Sequence, residues 1–197
     1  MGTDYPEHLL ARDAAPPYDG EGPFALWHFS EDPFLGRFLP HVPATNQEAP
    51  PLVWAVDTRH APMFWFPREC PRGCIWPKSA TTPEDRDRFF GQTAAKRVHV
   101  MEAGWLKRMQ ECRLYAYRLP AEPFRPHDVG GYWVAGEPVD AIGQVTVDDL
   151  VGRHATAGIE LRITPSIWPF WRQVATSTVS FSGSRLRNSA PHQDRLG

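Results

Sequence analysis

Proline limits what this chain can fold into more than any other residue type, because 21 of its 197 positions are proline. Proline fixes the backbone φ angle and has no N–H to donate, so it interrupts long helices and central strands. Five of the prolines lie within residues 31–51, a connector that also carries Phe34, Leu35, Phe38 and Leu39. We therefore expect many short elements, joined by loops that are ordered where apolar side chains anchor them.

The pattern of apolar residues predicts strands and helices that alternate irregularly along the chain. The predicted strands are 24–29, 52–57, 75–76, 97–101, 113–119, 132–134, 141–147 and 159–163. The predicted helices are 58–66, 82–90, 105–109, 148–157 and 167–177. Thr82 followed by Pro83 is a capped helix start, and Asp148 is predicted to cap a later helix. Such spacing is too irregular for a doubly wound sheet and favours an α+β fold, with a split, mostly antiparallel sheet and short helices.

Residues 23–188 are predicted to form this fold as a single α+β domain. Residues 1–22 are polar and rich in proline, glycine and acids, so we expect a flexible N-terminal arm. Residues 189–197 are expected to form a disordered tail.

Composition restricts the expected partners and compartment. The formal net charge of −2 gives no global basic field, so neither nucleic acid nor an anionic membrane is indicated as a partner. Three cysteines, an odd and low number, fit a reducing compartment better than a disulfide framework. The first residues lack the apolar run of a signal peptide, and no segment is as long and apolar as a membrane span. We therefore expect a cytoplasmic protein.

Residues 26–33, LWHFSEDP, form the first candidate site: a short buried strand that ends in a polar turn. His28 lies near the end of this strand, and Ser30, Glu31 and Asp32 follow it. A rigid strand that presents polar groups through a loop is a common way to build a site. A lone histidine among aromatic residues is also commonly a satisfied core or rim residue, and both interpretations stay open here.

Two further features combine aromatic and charged side chains. The residues are Trp54, Trp65, Arg68 and Arg72 in the first feature, and Tyr132 and Glu137 in the second. An anionic nucleotide with a flat base would use such groups: rings for stacking, arginines for phosphates and a carboxylate near the reacting sugar. The alternative is that the aromatic residues form core and the arginines form surface ion pairs.

Several catalytic signatures are absent from the sequence. It contains no phosphate-binding P-loop, no Rossmann glycine fingerprint, no HExxH helix and no GxSxG nucleophile elbow. Cys70 and Cys74 lie close in sequence, but no further Cys or His pattern completes four ligands, so we expect reduced structural cysteines and no metal. A serine–histidine–aspartate triad stays open, because triads are set by space rather than by sequence.

Most of the chain, from about Leu26 to Asn188, resembles an uncharacterised family of bacterial proteins of unknown function. The stretches that carry this resemblance are LWHFSEDP, VWAVDTRHAPMFWFPRECPR, LYAYRLP, GGYWVAGEPV and FSGSRLRN. The family has no assigned activity, so this resemblance implies no reaction.

A more distant resemblance is to the ADP-ribosyltransferase superfamily. There a strand-borne histidine is followed by an aromatic residue and a hydroxyl, as in His28-Phe29-Ser30. A second strand runs into a helix, as in VWA at 53–55 followed by 61–66, and a later strand delivers an acid, for which Glu137 is the candidate. The resemblance implies NAD as a co-substrate and transfer of ADP-ribose to an unknown acceptor.

The same resemblance implies roles for the candidate residues. His28 would hydrogen-bond a ribose hydroxyl, and Glu137 would stabilise an oxocarbenium-like transition state by its charge. The cofactor-binding candidates are Ser30, Trp54, Trp65 and Tyr132, with Arg68 or Arg72 at the pyrophosphate. One cleft lined by His28, Trp54, Trp65 and Tyr132 is expected. The alternative is a non-catalytic nucleotide- or partner-binding module on a degenerate version of the fold.

The C-terminal run FSGSRLRN, residues 181–188, combines apolar anchors with two arginines. Gly183 allows a turn that exposes N–H groups, and such turns with a nearby arginine bind anions. We expect this run to be ordered, and we expect Arg185 to bind a ligand anion near His28 or to pair with Glu31 or Asp32. The alternative is an ordinary polar tail with solvated arginines.

Overall fold

The structure is a computed structural model, and it describes residues 25–42, 47–127 and 131–191. The predicted arm, 1–22, and all but the first three residues of the predicted tail lie outside the described residues.

The described residues form twelve short strands and four short α-helices. The strands are β1 (Leu26–Ser30), β2 (Arg37–Phe38), β3 (Val53–Asp57), β4 (Arg72–Trp76), β5 (Arg97–Glu102), β6 (Leu114–Leu119), β7 (Arg125–Pro126), β8 (Tyr132–Ala135), β9 (Val139–Asp140), β10 (Gly143–Val147), β11 (Ile159–Thr164) and β12 (Ser180–Ser184). The helices are α1 (Pro83–Phe90), α2 (Leu106–Glu111), α3 (Leu150–Thr156) and α4 (Trp168–Ala175), with 3-10 turns at Ala61–Phe64, Ala103–Trp105 and Leu186–Asn188. The predicted α+β class is confirmed. Within the described residues no helix has the length and apolar character needed to cross a membrane.

Backbone contacts group the chain into two compact units. Unit 1 contains the described residues up to Trp65 together with Arg113–Asp148, and unit 2 contains Phe66–Cys112 together with the described residues from Asp149 onward.

Unit 1 is built on a six-stranded antiparallel sheet with the strand order β10-β6-β1-β3-β8-β7. β2 and β9 form a separate antiparallel pair. Because side chains alternate between the two faces of a sheet, one face of this sheet buries a hydrophobic core. The residues of that core are Leu26, Phe38, Val53, Ala55, Tyr117, Leu119, Phe124, Trp133, Ala135 and Val139.

Unit 2 is built on a four-stranded sheet with the order β11-β5-β4-β12. β12 pairs antiparallel with β4, and β4 pairs antiparallel with β5, whereas β11 runs parallel to β5. The predicted helix start at Thr82 is confirmed, because the Thr82 hydroxyl accepts a hydrogen bond from the Asp85 N–H at 3.2 Å. The core residues of this unit are Ile75, Phe89, Val98, Val100, Ile167, Val174 and Val179.

The C-terminal run is ordered, as predicted. Residues 180–184 form β12, an edge strand paired with β4, and residues 186–188 form a 3-10 turn. Two other local predictions are wrong. Arg72 and Cys74, which precede the predicted strand 75–76, already lie in β4. Asp149 rather than Asp148 caps α3, with a left-handed φ of 47° and a side chain that accepts a hydrogen bond from the Gly152 N–H.

Candidate functional site

His28 lies in the middle of β1 and bridges two strands. Its ring centroid is 4.7 Å from that of Phe38, and its Nδ1 lies 3.0 Å from the backbone oxygen of Trp54 on β3. A carbonyl oxygen only accepts, so Nδ1 carries the proton in this bond. The β1–β3 ladder pairs Leu26 with Asp57 and Trp27 with Val56, before His28 is reached. The His28 side chain thus continues the link between these strands.

Ser30 and the residues after it form a locally hydrogen-bonded turn. The Ser30 hydroxyl accepts a hydrogen bond from the Asp32 N–H at 3.1 Å, and the Asp32 carboxylate accepts one from the Phe34 N–H at 2.9 Å. The Tyr117 hydroxyl donates to the backbone oxygen of Asp32 at 2.6 Å and accepts from the Leu35 N–H at 3.0 Å. Ser30 is 4% exposed. Ser30 and Asp32 therefore stabilise the turn through these hydrogen bonds.

The two faces of the unit 1 sheet separate His28 from Trp54 and Tyr132. Trp27 lies opposite Val56, and Val56 lies opposite Tyr132, so these three side chains share one face. Trp54 is two residues from Val56 and joins them, whereas His28 directly follows Trp27 and points to the other face. The predicted cleft lined jointly by His28, Trp54 and Tyr132 is therefore wrong.

The face that carries Trp54 and Tyr132 holds a group of half-buried rings, which we call the aromatic cluster. Its members are Phe29, Trp54, Phe64, His127 and Tyr132. Phe64 stacks on Phe29 with centroids 6.0 Å apart and meets Tyr132 edge-on at 5.8 Å. Trp54 meets Tyr132 edge-on at 5.9 Å and lies 4.9 Å from His127. Each ring is in contact with another yet keeps part of its surface in solvent.

Arg118 lies on the same face and was not singled out from the sequence. It is opposite Trp27 in the sheet register, and its guanidinium lies 5.4 Å from the centre of the Trp27 ring. Its Nη1 is buried and makes no hydrogen bond with any described residue. Burial lowers the pKa of Arg118, as expected for a guanidinium removed from water. The only sequence signal was an arginine within the alternating strand 113–119.

Two other predicted site residues of unit 1 are poorly placed for a ligand. Trp65 is fully buried at 0% exposure, so its ring cannot stack on a ligand without rearrangement. Glu137 is exposed in the turn between β8 and β9. An exposed carboxylate is well hydrated, and its charge therefore stabilises a transition state far less than a charge in a dry pocket.

Asp57 and His60 form a buried pair that sequence reasoning missed. One Asp57 carboxylate oxygen lies 2.6 Å from Nδ1 of His60, and the other accepts the His60 backbone N–H at 2.8 Å. Gly131 packs against this ring so closely that a Cβ there would lie 2.1 Å from the His60 Cγ. The sequence signal for this pair was a strand end followed by Asp-x-x-His. The two contacts between Asp57 and His60 stabilise the turn after β3.

In unit 2, the three predicted arginines have different environments. Arg72 is buried, its guanidinium lies 5.4 Å from the centre of the Phe66 ring, and it donates to the Cys70 oxygen at 3.1 Å. Arg68 is exposed. Arg185 makes an ion pair with Glu69 at 3.5 Å, in place of the predicted pairing with Glu31 or Asp32.

Unit 2 also buries a hydrogen-bonded histidine pair. His154 donates from Nδ1 to the Leu150 oxygen at 2.7 Å, so its Nε2 accepts a hydrogen bond from Nδ1 of His99 at 3.0 Å. Burial lowers the pKa of His154 to about 4, so this ring is neutral at pH 7. Burial, and then the charges of His154, Arg97 and Arg72, hold the pKa of His99 well below its ordinary value.

We expect this histidine pair to make the protein sensitive to acid. The ordinary pKa is 6.5 and both folded values are lower, so the unfolded chain binds more protons below that pH. Titration of these two histidines should not change the free energy of unfolding above about pH 7. From pH 6.5 toward 4 it should lower that free energy by up to roughly 1.4 kcal/mol per pH unit per histidine. Urea unfolding across this range measures the slope. His154→Gln should reduce it, and replacing the exposed His41 with Gln should not; equal slopes in all three proteins would refute this role.

Unit 2 contains three cysteines that are buried and form no disulfide: Cys70, Cys74 and Cys112. Burial is the main cause that raises the pKa of Cys70 and of Cys74 to about 12. Both side chains therefore remain thiols at neutral pH, which makes them poor nucleophiles.

These features define an α+β protein whose candidate site is an aromatic, arginine-bearing sheet face. The chain belongs to the family of unknown function DUF6886, whose model matches residues 27–189. The predicted membership in a family of unknown function is therefore confirmed. No curated protein and no solved structure matches the chain.

Proposed function

We propose that unit 1 binds a small anionic ligand with a flat aromatic ring, the class to which nucleotides belong. The observation that carries this proposal is that the aromatic cluster and Arg118 occupy one face of the sheet. Half-buried rings give a stacking surface for a base, and stacking on aromatic side chains tolerates any base because every base has a π face.

Arg118 supplies the preference for an anion. Its cationic group contacts the Trp27 ring, and no described carboxylate pairs with it. A guanidinium can meet a phosphate with two parallel hydrogen bonds, and such bonds are stronger than those between neutral groups. Neighbouring strands lie about 4.8 Å apart, so Phe29 on β1 is close enough to Arg118 on β6 for one nucleotide to reach both.

Binding without catalysis agrees better with the geometry than transfer of ADP-ribose does. His28 points away from the aromatic cluster, and Glu137 is exposed. NAD remains the first ligand to try, because the resemblance to ADP-ribosyltransferases suggests it. That relationship, a bacterial source and the cytoplasmic location also remain proposals.

Thermal unfolding in the presence of NAD, AMP and adenosine is the first experiment. We expect NAD and AMP to raise the midpoint because a ligand that binds only the folded state stabilises it. We expect no nicotinamide release from NAD. A midpoint unchanged by every nucleotide would contradict the proposal, and steady release of nicotinamide would favour the transferase instead.

Replacing Trp54 with leucine should weaken AMP binding by about tenfold or more, since stacking of a base on an aromatic side chain contributes roughly 1–3 kcal/mol. Phe34→Leu is the matched control, because the Phe34 ring is 90% exposed. Arg118→Gln should weaken AMP binding but leave adenosine binding unchanged, since adenosine has no phosphate. Calorimetric titration measures all three. Equal affinities in the Trp54 and Phe34 variants would exclude the aromatic cluster as the site.

A further inference from the structure

A second group of charged residues lies in unit 2, and we call it the arginine cluster. It consists of Arg68, Arg185 and Arg187 around the carboxylate of Glu69. We infer that the arginine cluster binds the phosphate group of a small-molecule ligand. This site is additional to the aromatic face of unit 1 and does not depend on it.

Hydrogen bonds fix the position of the carboxylate at the centre. The Asn188 amide donates to the Glu69 backbone oxygen at 2.8 Å and to its carboxylate at 2.9 Å. Arg185 donates from Nε to the Arg68 backbone oxygen at 3.3 Å. These bonds connect residues 68–69 to the segment 185–188, so the Arg185 side chain and the Glu69 carboxylate are held before any ligand arrives.

The two arginines of the C-terminal run keep donors available. Within the described residues the one hydrogen bond of Arg185 is donated by Nε, so its two terminal nitrogens donate none. Arg187 has one such contact, 3.7 Å to the Glu69 carboxylate, which is longer than a hydrogen bond. The side chains of Arg185 and Arg187 are 32% and 52% exposed. Their planar N–H groups are suited to paired hydrogen bonds with a phosphate.

The charge balance of the cluster favours an added anion. The Asn188 hydrogen bond is the largest cause that lowers the pKa of the Glu69 carboxyl, and Arg185, Arg187 and Arg68 lower it further. The one carboxylate therefore faces the guanidinium groups of both Arg185 and Arg187, and the excess positive charge attracts an anion. Because Arg185 and Arg187 lie 3.5 and 3.7 Å from the same carboxylate, the geometry fits a compact phosphate better than an extended polymer.

Titration calorimetry with inorganic pyrophosphate at low ionic strength tests this inference. Arg187→Gln should weaken binding by about tenfold or more, the loss expected for a hydrogen bond to a charged group. Arg86→Gln is the matched control, because it removes the same charge from an exposed position of α1. Affinity should also fall as salt is added, since salt screens exposed charges.

Glu69→Gln provides a test in the opposite direction. It removes the competing negative charge but keeps an oxygen for the Asn188 amide, so pyrophosphate should bind more tightly. Arg118→Gln in unit 1 should leave pyrophosphate binding unchanged, which separates this site from the proposed nucleotide site. The inference is overturned if the native protein does not bind pyrophosphate, if Arg187→Gln and Arg86→Gln bind equally well, or if Glu69→Gln weakens binding.

Discussion

Replacing Gly131 with alanine is expected to lower the free energy of unfolding by about 2–5 kcal/mol, because backbone strain and overpacking act together. Gly131 has a φ of +80°, a conformation that side chains with a Cβ rarely adopt. The new Cβ would also lie 2.1 Å from the His60 Cγ. His60 has little freedom to move, because it is buried and held by Asp57.

Urea unfolding followed by circular dichroism measures this loss. Gly136→Ala is the matched control, because Gly136 lies in the same unit and a Cβ there meets no atom within 4 Å. We expect the control to stay within about 0.5 kcal/mol of the native protein, as surface substitutions usually do. A Gly131 variant as stable as the control would show that His60 is not held as described.

Replacing Glu102 with alanine is expected to destabilise the protein by about 2–5 kcal/mol, since two backbone N–H groups lose their acceptor. Glu102 ends β5 and is 4% exposed. One carboxylate oxygen accepts the Ile167 N–H at 3.1 Å, and the other accepts the Ala190 N–H at 2.8 Å. The side chain therefore ties the start of α4 and the C-terminal segment to the unit 2 sheet.

Two further variants isolate the role of these hydrogen bonds. Glu102→Gln keeps one acceptor oxygen, so it should lose roughly half as much stability as alanine does. Glu111→Ala removes an exposed glutamate of α2 whose nearest cation is 3.9 Å away, and it should cost less than about 1 kcal/mol. If Glu102→Ala unfolds at the same urea concentration as Glu111→Ala, the two hydrogen bonds do not stabilise the fold as argued.

The local elements of the fold were predictable because they depend on neighbouring residues. Thr82 and Pro83 begin a helix for reasons of capping and backbone geometry alone. The pairing of strands was not predictable, since it depends on residues far apart in the chain. Nothing in residues 97–101 or 159–163 indicates that β5 and β11 run parallel. The sequence also could not show that Asp149 rather than Asp148 caps α3, because both residues have the same side chain.

The candidate site was predictable in part, and for the same reason. Residue type made Trp54 and Tyr132 candidates for stacking on a ligand, and the structure places their rings in edge-on contact. Which face of the sheet a residue occupies follows from the register, and a shift of one residue reverses it. The sequence alone therefore could not show that His28 points away from them, nor that Arg118 lies on their side.

The indole N–H signals of the protein provide the most direct test of nucleotide binding at the aromatic face. The chain has 8 tryptophans, and each gives one signal in a nitrogen–proton correlation spectrum; Trp54→Leu identifies the signal of Trp54. On titration with adenosine, we expect the Trp54 signal to move, because a stacked base changes the magnetic field at the ring. The signals of Trp168 and Trp171 in unit 2 should stay in place. An unmoved Trp54 signal with adenosine bound would contradict the account, and so would a protein that binds neither adenosine nor AMP.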